Sequence, residues 1–80
     1  MVYNFFCVCF HTLDRYLCIA SGRQVGIYSI ESGEKVYCLK NHSVDVIGLA
    51  IKEENVLFSC DTSGEIVEWD INTGNILKVV

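Results

Sequence analysis

Three residues able to bind metal or act as nucleophiles sit two apart near the start of the chain: Cys7, Cys9 and His11. On an extended strand that spacing sets all three on one face. A zinc site of this kind needs a fourth ligand, however, and no CxxC pair accompanies them. Buried thiols beside a turn histidine are the better account. His42 could take a proton as a general base, but spacing suggests no serine or cysteine nucleophile with a third, orienting group. Glu53 and Glu54, with Asp61 and Glu65, contain the carboxylates of an acid/base pair or a calcium loop, yet they follow no EF-hand order. Trp69 offers a stacking face but reads as core. Gly22, Gly33, Gly64 and Gly74 belong to neither a GxGxxG nor a Walker pattern, and each falls at a turn. No catalytic residue, metal or cofactor is expected, so the chain is not predicted to be an enzyme.

These residues must be positioned by short strands. Extended runs at 5–10, 16–20, 25–30 and 35–39 are separated by turn residues, with Gly33 placed to take a positive φ after Glu31-Ser32. The order then repeats at 46–51, 56–60, 65–71 and 76–80, with the polar connection Lys52-Glu53-Glu54-Asn55 and turns ending in Gly64 and Gly74. No helical period is sustained over ten positions. Two sets of four strands at hairpin spacing predict antiparallel meanders.

The two sets echo one another 41 residues apart: Tyr28-Ser29-Ile30-Glu31-Ser32-Gly33 aligns with Trp69-Asp70-Ile71-Asn72-Thr73-Gly74, and Val25, Phe10, Val8 and Phe5 align with Ile66, Ile51, Leu49 and Val46. Ile30/Ile71 and Gly33/Gly74 are the identities. A period near 40 signals stacked or radial repeats whose units cannot bury their faces alone.

Composition agrees. A chain of 80 residues is at most one small domain, and such a chain buries only about 60% of its unfolded surface. At 51% hydrophobic residues and no proline, it needs more burial than it can supply. A net charge of -4 is the wrong sign for tracking phosphates, so direct nucleic-acid binding is not favoured. Five cysteines, an odd number mostly within apolar runs, are expected as reduced thiols of a cytosolic or nuclear protein. Residues 1–13 carry no basic leader and no small-residue cleavage site, so a secretory signal is not predicted. No run approaches the roughly 20 apolar residues of a membrane span.

Asn41-His42, Leu57-Phe58-Ser59-Cys60, the turn ending in Gly64, Ile66-Val67-Glu68-Trp69-Asp70 and Thr73-Gly74 resemble one complete WD-repeat, which carries a Gly-His pair early and a Trp-Asp pair late. Residues 5–39 resemble a degenerate second repeat, with Tyr28-Ser29 at the Trp-Asp position. The resemblance implies an all-β fold of two four-stranded antiparallel blades of an incomplete β-propeller: a degenerate WD-repeat blade at 1–40 and a WD-repeat blade at 41–80. It also implies a hydrogen-bonded brace within the second blade, for which His42, Ser59 and Trp69 match the family positions. The aspartate position, just before Gly64, holds Ser63, so the resemblance leaves Asp61, two residues earlier, to reach in as the brace's fourth member. The expectation is a folded blade with its histidine held less firmly than usual.

Partner contacts in this family come from the wider rim around the central channel, which points to Lys40, Asn41, Ser43, Asp61, Thr62, Ser63 and, from the first repeat, Arg23. Solvated turns are the competing account of each. Two blades cannot close a ring of about 4–8, so the chain is expected to be a fragment of a larger propeller, with self-association as the other way to cover its open faces. The opening 1–10, rich in Phe and Cys, departs most from the repeat. Segments 16–22, 25–29, 57–60 and 74–78 resemble the first blades of the nucleolar WD-repeat subunits of the small-subunit processome. That resemblance implies a non-catalytic protein-interaction scaffold in a multi-subunit complex for pre-rRNA processing, nucleolar or nuclear; without it the expectation is cytoplasmic. The alternative is a small ribonucleoprotein or RNA-binding module acting through its own surface.

Overall fold

Apolar residues at period two, interrupted by glycine turns, form strands throughout the computed structural model, which describes residues 8–10, 15–53 and 55–80. In chain order these are β1 (Val8–Phe10), β2 (Tyr16–Ser21), β3 (Gln24–Ser29), β4 (Lys35–Lys40), β5 (Val46–Glu53), β6 (Val56–Asp61), β7 (Ile66–Asp70) and β8 (Ile76–Val79). They pair as two four-stranded meanders, β1-β2-β3-β4 and β5-β6-β7-β8, antiparallel at every ladder. This is the architecture of two propeller blades. Phe5, Cys7 and His11 lie outside the described residues.

Strand β5 runs further than the polar connection 52–55 predicts, because its ladder with β6 continues to the Glu53–Val56 pair. Lys52 therefore lies on the sheet, its ammonium 5.4 Å from the Phe58 ring centroid and 3.4 Å from Glu68 Oε1. The long stem covers an aromatic face while the charge finds a cross-strand partner, which is why a lysine extends the strand.

The core lies between the sheets. The first contributes Cys18, Ala20, Val25, Ile27 and Leu39, and the second Val46, Leu57, Val67, Trp69 and Ile71, all buried. Strand β5 packs against β1 and β2. Alternation puts Leu17, Ile19, Gly26 and Tyr28 on the opposite, outer face of the first sheet, and Gly48, Ala50, Phe58, Cys60 and Ile66 on that of the second.

The two sheets superimpose ladder by ladder. Leu17 opposite Tyr28 corresponds to Leu57 opposite Trp69, and the bond from Ile30 N–H to Arg15 O to that from Ile71 N–H to Asn55 O. The repeat is thus 41 residues at β3/β7 but 40 at β2/β6. The β6–β7 turn carries the extra residue, since Asp61 N–H reaches Glu65 O across three residues where Ser21 and Gln24 pair across two.

A side chain of β4 also ties the first sheet to a turn of the second. The Tyr37 hydroxyl of β4 donates to Asn72 O at 2.7 Å, and its ring lies over Gly74, where a Cβ would meet Tyr37 Cδ1 at 2.8 Å. Gly33 has the same left-handed backbone, φ 73° against 75° for Gly74, but an open surrounding. Gly33→Ala should then cost about 1 kcal/mol for the backbone alone, and Gly74→Ala roughly 2 kcal/mol or more because Tyr37 must move as well. Urea denaturation of the two variants side by side checks this; equal losses would show that Tyr37 is not seated on the turn.

Candidate functional site

The residues with the most chemistry converge at one end of the second sheet. Trp69 on β7 and Ser59 on β6 point into the core; Asp61, two residues on, shares the face of Ser59 at the strand's end. His42 arrives from the connection between β4 and β5. Trp69 Nε1–H donates to Ser59 Oγ at 2.8 Å, Ser59 Oγ lies 2.6 Å from His42 Nε2, and His42 Nδ1 lies 2.7 Å from Asp61 Oδ2. An ionised carboxylate only accepts, so the proton sits on Nδ1 and the Ser59 hydroxyl donates to Nε2. Every donor in the chain then has one acceptor. Asp61 Oδ1 accepts from the Ser63 hydroxyl at 2.6 Å and from the backbone N–H groups of Ser63 and Glu65 at 2.9 and 3.1 Å. These bonds, the Ser63 hydroxyl foremost, outweigh the burial that pushes the carboxyl up, and together with His42 they hold its pKa at about 2.

The expectation of a weakened brace is therefore corrected. Ser63 stands where the family's aspartate would, but it donates to Asp61 instead of leaving the histidine short. The extra residue in the β6–β7 turn lets the strand's last inward side chain reach the imidazole. Among the described residues no buried side-chain nitrogen or oxygen lacks a partner. Among the described residues the first sheet has no such chain: Ile19 stands at the Ser59 position and Tyr28 at that of Trp69. Tyr28 folds over Gly26 and stacks beneath the Lys35 ammonium, 5.6 Å from the ring centroid.

Ser59, His42 and Asp61 follow the atom order of a hydrolase triad, but Ser59 is 0% exposed and the indole N–H occupies its oxygen. The arrangement braces a strand pair; it presents no nucleophile to a substrate. His42, Asp61 and Glu65 also place ligand-type atoms within 4.8 Å of one another. His42 Nδ1 is committed to Asp61, and Glu65 Oε1 accepts from Asn41 Nδ2 at 3.3 Å, so a cation there would displace bonds the fold already uses.

Of the rim residues, Arg23, Lys40, Asn41, Ser43, Thr62 and Ser63 are exposed. Asp61 is buried at 2% exposure and offers a partner nothing. The bonds from Val46 N–H to Gly22 O and from Thr62 N–H to Asp45 O gather these loops at one end of the sheets. Sequence reasoning missed Tyr37, although its period-two spacing from Leu39 already placed it on the core face. Cys18, Cys38 and Cys60 are present as thiols. Among the described residues no helix is long and apolar enough to cross a membrane.

Comparison with known proteins agrees with this geometry. No protein-family model matches the chain. It is 32% identical over 66 residues to WD repeat-containing protein 75 of Xenopus laevis, over 80% of this chain. It is likewise 32% identical over 77 residues to the Mus musculus protein of the same name, over 94% of this chain. The chain spans only 8–9% of the length of these curated relatives. The whole chain superimposes on the solved structures of U3-55K and of the RRP9 WD40 repeats with TM-scores of 0.87, at 22% identity and over 28% and 27% of those chains. The match to these structures shows the fold.

Proposed function

Because the chain belongs to the WD-repeat β-propellers, we propose that it is a non-catalytic protein-interaction scaffold: two blades of a ring whose other blades lie in a longer protein. We further propose that it works within a nucleolar complex for small-subunit pre-rRNA processing. The observation that carries the scaffold role is the brace. It commits the His42-Ser59-Asp61 constellation to rigidity, with Ser59 and Asp61 buried, and leaves exposed loops as the surface for recognition. Blade boundaries at 1–40 and 41–80 suit this reading, the rim loops being the partner surface. The resemblance of segments 16–22, 25–29, 57–60 and 74–78 to the processome's WD-repeat subunits supports the processing role, and the likeness to WD repeat-containing protein 75 agrees with it.

Protein contacts, not direct RNA contacts, should hold the chain in such a complex, given its net charge of -4. Filter binding of the purified chain to single-stranded RNA should show no retention at about 150 mM salt. Retention that falls steeply as salt rises would replace the scaffold with an RNA-binding module. The tagged parent protein should co-sediment with pre-ribosomal particles; sedimentation only as a free protein would remove the processing role.

A further inference from the structure

The outer faces of the two sheets are unequal, and each matches a face already buried inside the molecule. Ladder equivalence sets Phe58, Cys60 and Ile66 on the outer face of the second sheet where Cys18, Ala20 and Val25 stand on the core face of the first. It likewise sets Leu17, Ile19 and Tyr28 where Leu57, Ser59 and Trp69 stand on the core face of the second. The contact between the sheets is therefore a template for a contact between chains. Both open faces carry apolar grooves, about 370 Å³ along Leu17, Ile19, Tyr28 and Ile30, and about 230 Å³ along Gly48, Ala50, Phe58 and Ile66. Ile30 and Ile71 occupy the same turn position, yet Ile71 is 0% exposed in the core and Ile30 is 45% exposed.

We propose that these faces fit one another, so that in the 80-residue chain on its own the second sheet of one copy covers the first sheet of the next, head to tail. The inference rests on the propeller reading, in which flanking blades cover the same faces in a longer protein. Charge supports a second copy as the occupant. Within the chain, the Tyr37 hydroxyl donates to the backbone oxygen of Asn72. At the equivalent positions stand Lys78, opposite Glu68 on the outer face, and Glu31 on the turn of the first sheet, both exposed. An ammonium thus replaces the hydroxyl donor, and a carboxylate is added beside the carbonyl acceptor. Glu68, which stands where the first sheet has Ile27, carries its own counter-ion in Lys52 at 3.4 Å. The association is heterologous and closes only as a ring. With two blades per chain and about 4–8 blades per propeller, closure needs two to four copies.

Sedimentation velocity on the 80-residue chain between about 1 and 100 µM should give a species of two to four chain masses. Lys78→Glu and Glu31→Lys should each weaken association about tenfold, and the two together should restore it. Both side chains are exposed, and the near-UV signal of the buried Trp69 verifies that each variant is folded. A monomer retaining that signal, or a double variant as weak as either single one, would overturn the proposal while leaving the scaffold role intact. RNA retention in the filter assay would do the reverse.

Discussion

Trp69→Ala will remove a large part of the chain's stability. The indole is 2% exposed at the centre of the core, and truncating a buried tryptophan costs about 3–5 kcal/mol. A domain of this size has about 4–12 kcal/mol in all. The loss has two parts that a second variant separates. Trp69→Phe keeps most of the volume but removes the N–H that Ser59 Oγ accepts at 2.8 Å. Because Ser59 still donates to His42, only one acceptor is left short, and about 1 kcal/mol should go. Tyr28 marks the contrast, since it holds the same ladder position in the first sheet with its ring on the open face over Gly26. Tyr28→Ala should cost less, about 1.5 kcal/mol, as fits a side chain that is only partly buried. Urea midpoints for the three variants, followed by far-UV circular dichroism, check the order. A Trp69→Ala variant as stable as Tyr28→Ala would mean that the two sheets do not pack around the indole.

That order was half legible in the sequence. The turn glycines, the period-two runs and the echo between the sets place the strands to within about two residues, because those signals are local. The matches of His42, Ser59 and Trp69 to the family's spacing identify the brace residues for the same reason: each sits at a fixed offset from a turn. Asp61 was legible as the brace's carboxylate, but how firmly it holds the histidine was underestimated, because that depends on where β6 ends. Counted from Ser59 by twos, it belongs to the inward face, and that alternation outranks the family's habit of placing the carboxylate next to the turn glycine.

Contacts between the sheets left fainter traces. Nothing local distinguishes Ile30 from Ile71, which share a residue type and a turn; what lies across from them decides that one is buried and the other open. Tyr37 seating on Gly74 is likewise a meeting of residues 37 positions apart in sequence, invisible to any periodicity. The shift from a 41-residue to a 40-residue repeat could have been read by counting the β2–β3 and β6–β7 turns separately. A single lag hides it.

Removing His42 should expose the acid side of the brace. In the folded chain the Asp61 carboxyl is lowered from its ordinary 3.8 to about 2. The sign follows from linkage: a depressed folded pKa means the ionised form favours folding above about pH 4, and that contribution is lost as pH falls from about 4 through about 2. Asp61→Asn, which cannot titrate, should lose stability at neutral pH and lose the dependence over that window. His42→Ala removes one of the bonds that lower the carboxyl while burial continues to raise it, so the acid transition should move to higher pH. It also strands the Ser59 hydroxyl, at about 1–3 kcal/mol for a buried group left unpaired. Ser63→Ala, lacking the strongest single donor to Asp61, should shift the transition the same way with a smaller loss at pH 7, because the backbone N–H groups of Ser63 and Glu65 still hold Oδ1. In a double-mutant cycle, His42→Ala and Asp61→Asn should couple strongly, since each change removes the charge-assisted bond between the imidazole and the carboxylate. Urea unfolding at half-unit pH steps from about 2 to 7 gives the four curves. Additive losses, or an Asp61→Asn curve parallel to the parent between pH 2 and 4, would show that the carboxylate does not anchor the imidazole.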